Sequence, residues 1–98
     1  MKRGEVWWVD LARPAVIMSN DLLNTHLNRL QVVPLTSNNG RLYPSEAVVT
    51  VAGQSSKAMA DQLTTVAKER LTSQLGVLNL SDLRAVERAV KIQLHLPL

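Results

Sequence analysis

Three short segments carry residue types suited to phosphate chemistry: Arg13-Pro14, Thr36-Ser37-Asn38-Asn39 and Asp61-Gln62. A single arginine between a strand and a proline is either ordinary surface charge or a guanidinium that forks onto a phosphate. The Thr36 segment is either a polar turn or a rim of hydroxyls and amides that can bond phosphate oxygens and base edges. Asp61-Gln62 follows Ala58-Met59-Ala60, and it reads either as a capping pair or as a strand-end pair facing a base edge. Each segment keeps both readings when taken alone.

Other routes to catalysis are poorly supplied. The chain has no cysteine, which removes thiolate nucleophiles, disulfides and Cys-type zinc sites together. Its two histidines, His26 and His95, lie far apart in sequence, where a histidine pair would be the usual device for acid–base cleavage of RNA. Both are read as solvated surface residues. No His, Asp and Glu set has metal-ligand spacing, so neither a metal nor another cofactor is expected. The four glycines are scattered singly, without a phosphate-binding loop.

The elements that must hold these residues can be read from pattern. Residues 5–9, Glu-Val-Trp-Trp-Val, are bulky and β-prone, and the adjacent Trp7 and Trp8 must face opposite ways. One is expected in the core and the other at an interface or, less in keeping with composition, beneath a base. Pro14 opens an apolar run through Met18 of buried-strand type, and Asn20-Asp21 caps a short helix to about His26. Residues 31–35 and 46–51 form further strands, with weaker candidates at residues 57–63 and 73–78. Short, even spacing argues for a compact barrel or sandwich. At the C-terminal end Ser81 is read as a helix cap, and Pro97 as the stop. Leu83, Val86, Val90 and Leu94 form one apolar stripe, and Ala85, Ala89, Ile92 and Leu96 form a second beside it. That face is wider than the ~100° stripe of a helix lying on one core, so it calls for a second surface.

Composition sets the outer bounds. The 98 residues make one domain spanning 1–98, with 46% apolar residues and only three aromatics, Trp7, Trp8 and Tyr43. A small aliphatic core favours oligomerisation. The net charge of +3 raises the prospect of an anionic partner without naming it. Apolar stretches fall well short of the ~20 residues of a membrane span, and the first is too short for a signal-peptide core. A soluble, cytoplasmic protein is therefore expected.

Taken in order, Lys2-Arg3-Gly4-Glu5-Val6-Trp7, Arg13-Pro14-Ala15-Val16-Ile17, Val33-Pro34-Leu35-Thr36-Ser37, Asp61-Gln62 and the closing helix resemble the MazF/PemK/Kid toxins. The resemblance runs through nearly the whole chain. It implies a mainly β fold with some α (α+β), an SH3-like barrel of about five to seven strands with a short helix and a C-terminal helix. It also implies a homodimer, and a cognate antitoxin whose C-terminal segment lies across the RNA-binding groove. The activity implied is metal-independent, sequence-specific cleavage of single-stranded mRNA, leaving a 2′,3′-cyclic phosphate and a 5′-hydroxyl. Arg13 and Thr36 fall on the catalytic positions, and Ser37, Asn38, Asp61 and Gln62 are expected to contact RNA. Asp61 also falls where some members place a catalytic acid.

Two departures stand out. Family members carry about ten more residues before the arginine, whereas here Asp10-Leu11-Ala12 leads straight to it, a very tight connection for a strand pair. Thr64 also stands where an arginine is common. The short connection suits an alternative in which the barrel binds nucleic acid without cutting it. Gyrase-poisoning toxins share the barrel but act through a tail ending in Trp and small residues, unlike His95-Leu96-Pro97-Leu98 here.

Overall fold

The computed structural model describes residues 1–38 and 40–97. Seven strands and two helices follow in order: β1 (Glu5–Val9), β2 (Arg13–Ile17), α1 (Asp21–His26), β3 (Arg29–Thr36), β4 (Glu46–Val51), β5 (Gln54–Met59), β6 (Thr64–Ala67), β7 (Leu71–Val77) and α2 (Leu80–Leu94). One-turn 3₁₀ segments, Ala60–Gln62 and Lys68–Arg70, join β5 to β6 and β6 to β7. The strands run β4-β5-β3-β2-β1-β7, with β6 added to the side of β3. A three-residue connection between β6 and β7 draws the two flanks together, and the sheet curls into a half-barrel. The expected small barrel with a C-terminal helix is thus the fold observed.

β3 is the hub. Its first half, residues 29–32, pairs with β6, and Leu35 and Thr36 pair with β5. Pro34 falls where the neighbour changes, a position that spares the ladder a missing N–H donor. Along its other edge β3 pairs with β2 through Ala15↔Pro34, Val16↔Val33 and Ile17↔Val32.

Alternation along the central strands feeds two cores. Val6, Val16, Val33 and Leu35 point to a cluster that includes β4, β5 and the helix residues Val86 and Ala89. Ala15, Ile17, Leu30, Val32, Val66 and Leu71 fill the curl on the opposite face. Continuous apolar runs in β2 and β3 follow from this, since both faces are buried. The β4–β5 hairpin closes on Ala52 and Gly53, both at positive φ (51° and 76°), as a two-residue turn matched to strand twist requires. Gly76 is needed for a different reason: a Cβ there would lie 2.8 Å from Val51 Cγ2.

Several boundaries differ from the sequence reading. The weak candidate at residues 57–63 is strand only to Met59, because the chain turns through Ala60–Gln62 to switch along β3. β6 lacks a sequence signal altogether. Asn79, not Ser81, caps α2, its side chain accepting from Asp82 N at 2.7 Å. The helix ends before Pro97, with His95 in the left-handed conformation and Leu96 N bonded to Lys91 O. Its buried face is Val86 and Ala89, flanked by Leu83, Ala85 and Val90, so the two stripes merge. Ile92, Leu94 and Leu96 remain exposed. Trp7 and Trp8 do face opposite ways, but each is half-buried. No helix among the described residues is long and apolar enough to cross a membrane.

Candidate active site

β2 begins at Arg13 and β3 ends at Thr36. The β2–β3 register, carried two residues beyond Ala15↔Pro34, sets these two residues across from each other. Both project to the side of the sheet opposite Val33 and Leu35, because successive strand residues alternate. Two residues 23 positions apart in sequence are thereby brought to the same end of the β2–β3 ladder, although they line different clefts.

Arg13 is exposed at the rim of a cleft of about 310 Å³. The floor is apolar, built from Ala15, Val32, Pro34 and Val66. Its guanidinium Nη1 donates to Gln62 Oε1 at 3.5 Å, a long bond that brings the first and third segments together. No carboxylate pairs with Arg13 among the described residues, which leaves the guanidinium's remaining donors free for an anion.

Thr36 is arranged as a donor. Its Oγ1 accepts from Asn38 N at 3.2 Å, and Asn38 Oδ1 accepts in turn from Gly40 N at 3.1 Å. With one lone pair occupied from behind, the Thr36 hydroxyl hydrogen can turn toward a phosphate oxygen. Thr36 and the exposed Ser37 border a second cleft, separate from that of Arg13, of about 360 Å³ with Trp8, Pro14 and Gln54. Asn39, read as part of the same rim, lies outside the described residues.

Asp61 and Gln62 separate. Gln62 turns to Arg13, whereas Asp61 lines a different groove with Tyr43, Pro44 and Ile92. Thr64 sits in the Arg13 cleft, so the departure from the family arginine falls at the site itself. His26 and His95 are both exposed and stand outside these clefts.

Two charged residues near the site carried no signal in the sequence. Arg70 shares the Arg13 cleft, and its Nε and Nη2 donate to Asp10 Oδ2 at 2.9 and 2.6 Å. The hydrogen bond and the guanidinium charge hold the Asp10 carboxyl below its ordinary value and raise Arg70. Sixty positions separate the partners, so only the fold reveals the pair. Lys57 is buried directly across β5 from Thr36.

The connection before Arg13 closes as a tight turn. Asp10 and Leu11 both take positive φ, 53° and 62°, and Ala12 N donates to Val9 O at 2.9 Å. Neither is glycine, and the left-handed conformation costs roughly 1–2 kcal/mol for an ordinary residue. Leu11 is 77% exposed, and packing recovers little of that cost.

Comparison with known proteins identifies the family. Residues 2–94 match the family described as PemK-like, MazF-like toxin of type II toxin–antitoxin system. Endoribonuclease MazF9 of Mycobacterium tuberculosis is 36% identical over 115 aligned positions, covering 98% of each chain. Those 115 positions exceed the 98 residues of this chain, so the relative carries residues absent here. An endoribonuclease from a mycobacterial species superposes with a TM-score of 0.92 at 28% identity, covering 100% of this chain and 94% of that one. A second mycobacterial endoribonuclease, solved in complex with its cognate antitoxin, gives 0.90 at 26% identity, covering 100% and 98%. With the sequence match spanning nearly the whole chain and the fold shared throughout, the chain belongs to the PemK-like, MazF-like toxin family and is one of its endoribonucleases.

Proposed function

We propose that this chain is a toxin that cuts single-stranded mRNA at a short sequence without a metal ion. The substrate's own 2′-hydroxyl is the nucleophile. Its oxygen forms a new bond to phosphorus while the bond from phosphorus to the 5′-oxygen breaks. The 2′-proton passes to a general base, and the departing 5′-oxygen takes up a proton. The products are a 2′,3′-cyclic phosphate and a 5′-hydroxyl.

What supports this reading is the β2–β3 register, which, extended two residues past Ala15↔Pro34, sets Arg13 opposite Thr36. Arg13 offers a permanent positive charge to the phosphorane, where negative charge develops in the transition state. Thr36 offers a hydroxyl, set as a donor by Asn38, that orients the same phosphate. Ser37, Asn38 and Gln62 lie beside them to hold RNA. Asp61 contacts RNA from the neighbouring groove.

The protein works as a homodimer in the cytoplasm, restrained by a cognate antitoxin. The exposed Ile92, Leu94 and Leu96 at the end of α2 support a dimer surface. The solved complex of a relative with its own antitoxin supports the second partner.

The deciding experiment incubates the protein with single-stranded RNA and maps the fragment ends, with and without EDTA. Fragments with 5′-hydroxyl ends, unaffected by EDTA, are expected. Arg13→Ala should lower the rate at least ~100-fold while RNA affinity falls far less, because the lost interaction belongs to the transition state. Loss of cleavage on chelation, with recovery in magnesium, would overturn the metal-free mechanism. The short turn at Asp10 and Leu11 favours a second reading, a barrel that binds RNA but leaves it whole. Binding without any cut at high protein concentration would establish that reading.

A further inference from the structure

The row formed by Arg13 and Thr36 continues into β5, where Thr36 pairs with Lys57. Alternation puts Lys57 on the same side of the sheet as Thr36, since their neighbours Leu35 and Ala58 share the opposite core. Lys57 is 8% exposed, an unusual place for an ammonium group. Its Nζ lies 3.4 Å from Glu46 Oε1 and donates to Arg41 O at 3.1 Å. The same Glu46 oxygen accepts from Tyr43 N at 2.9 Å. Lys57 therefore anchors the far end of the connection between β3 and β4, whose near end is tied to Thr36 through Asn38. A buried ion pair adds little net stability over apolar side chains of similar volume, so its effect here is one of geometry.

We propose that Lys57 is a positioning residue for RNA cleavage, holding the Arg41–Glu46 end of the β3–β4 connection so that Thr36 and Asn38 keep the geometry the phosphate needs. It does not contact RNA. Its ammonium is buried and occupied by Glu46 and the Arg41 carbonyl, whereas Arg13 is exposed and has no carboxylate partner among the described residues. The inference rests on the proposed ribonuclease activity and adds to it a residue outside the matching motifs.

The test compares wild type, Lys57→Met and Lys57→Arg on a short single-stranded RNA containing a mapped cleavage site. Three readouts are needed: kcat, KM, and the slope of log KM against log salt. Lys57→Met should lower kcat about 10- to 100-fold, the range set by loosened catalytic geometry, with KM changed less than about threefold. The salt slope should match wild type, because a lost phosphate contact would reduce it by about one. Lys57→Arg, which keeps the charge and donors, should recover most of the rate. A folded Lys57→Met protein with wild-type kcat overturns the inference, and so does a reduced salt slope, which would make Lys57 an RNA contact. Should Lys57→Met leave the buried Glu46 charge unpaired and prevent folding, the Lys57→Met/Glu46→Gln pair removes both charges, and wild-type kcat in that protein likewise overturns it. A wild type that binds RNA and never cuts it refutes the ribonuclease reading, whereas a wild type that cuts as fast as Lys57→Met refutes only the role of Lys57.

Discussion

Two connections flank the row of Arg13 and Thr36, and they are held in opposite ways. The turn before Arg13 has three residues, two of them at positive φ without being glycine, and is fastened by the surface pair of Asp10 and Arg70. The connection after Thr36 is long, and its fastenings are polar: Asn38 to Thr36 at the exposed end, the buried Lys57 to Arg41 and Glu46 at the other. The first side holds its shape through backbone geometry and a surface ion pair, without drawing on the Arg13 side chain. The second holds its shape through side chains that include a site residue. Changes on the short side should therefore move stability, and changes on the long side should move rate.

Between the two connections the largest effect is expected from Thr36→Val, which keeps volume and β-propensity while removing the hydroxyl. It deletes the donor proposed for the phosphate and the acceptor for Asn38 N together. Single-turnover cleavage should slow about 100-fold, in the range seen when one donor to a developing oxyanion is lost. Thermal unfolding should shift little, because Thr36 lies at the end of its strand. A variant that cuts at the wild-type rate would break the assignment of rate to the long side.

On the short side the expected effect is smaller and of opposite sign. Leu11→Gly relieves a left-handed leucine, and the gain of roughly 1–2 kcal/mol is partly offset by about 0.5–1 kcal/mol of added freedom in the unfolded chain. A net stabilisation of about 0.5–1 kcal/mol should appear as a higher urea midpoint. The exposed leucine side chain gives up almost no buried area. Cleavage should stay within about twofold of wild type, since the guanidinium of Arg13 is not held by Leu11. Destabilisation instead would show that the turn is unstrained, and the contrast between the two connections would fail on its short side.

The same contrast explains what could be read without coordinates. Strong local patterns survived: the Asn20 cap, the bounds of the strand at residues 46–51, and the apolar runs of β2 and β3 that are buried on both faces. Arg13, Thr36 and Gln62 were singled out as candidates because ordered motifs mark them, although only the fold brings Gln62 within reach of Arg13. β6 was not legible, because Thr64-Thr65-Val66-Ala67 is too short and polar to carry a period, and its partners lie 32 to 38 residues away on β3. Lys57 was hidden for a related reason. A lysine in an otherwise polar strand start looks solvated until the fold lays Glu46 and Arg41 over it.

The smallest effect concerns the exposed bond between Asp10 and Arg70, and acid sharpens it. The folded Asp10 carboxyl titrates below its ordinary 3.8, held there first by the Arg70 hydrogen bond. A depressed folded value means that the bond's contribution is fully present above the ordinary value and fades as the pH falls through the folded one. Asp10→Asn should therefore be slightly less stable than wild type near neutrality, and the gap in urea midpoint should close as the pH falls below the ordinary carboxyl value of 3.8. Salt should narrow it as well, because solvent and ions screen a pair on the surface. Cleavage at neutral pH should barely change, as the bond fixes the turn and leaves Arg13 untouched. A gap that widens in acid would mean that Asp10 is stabilised by something other than Arg70. A large loss of cleavage would place the short connection in the catalytic geometry beside the long one.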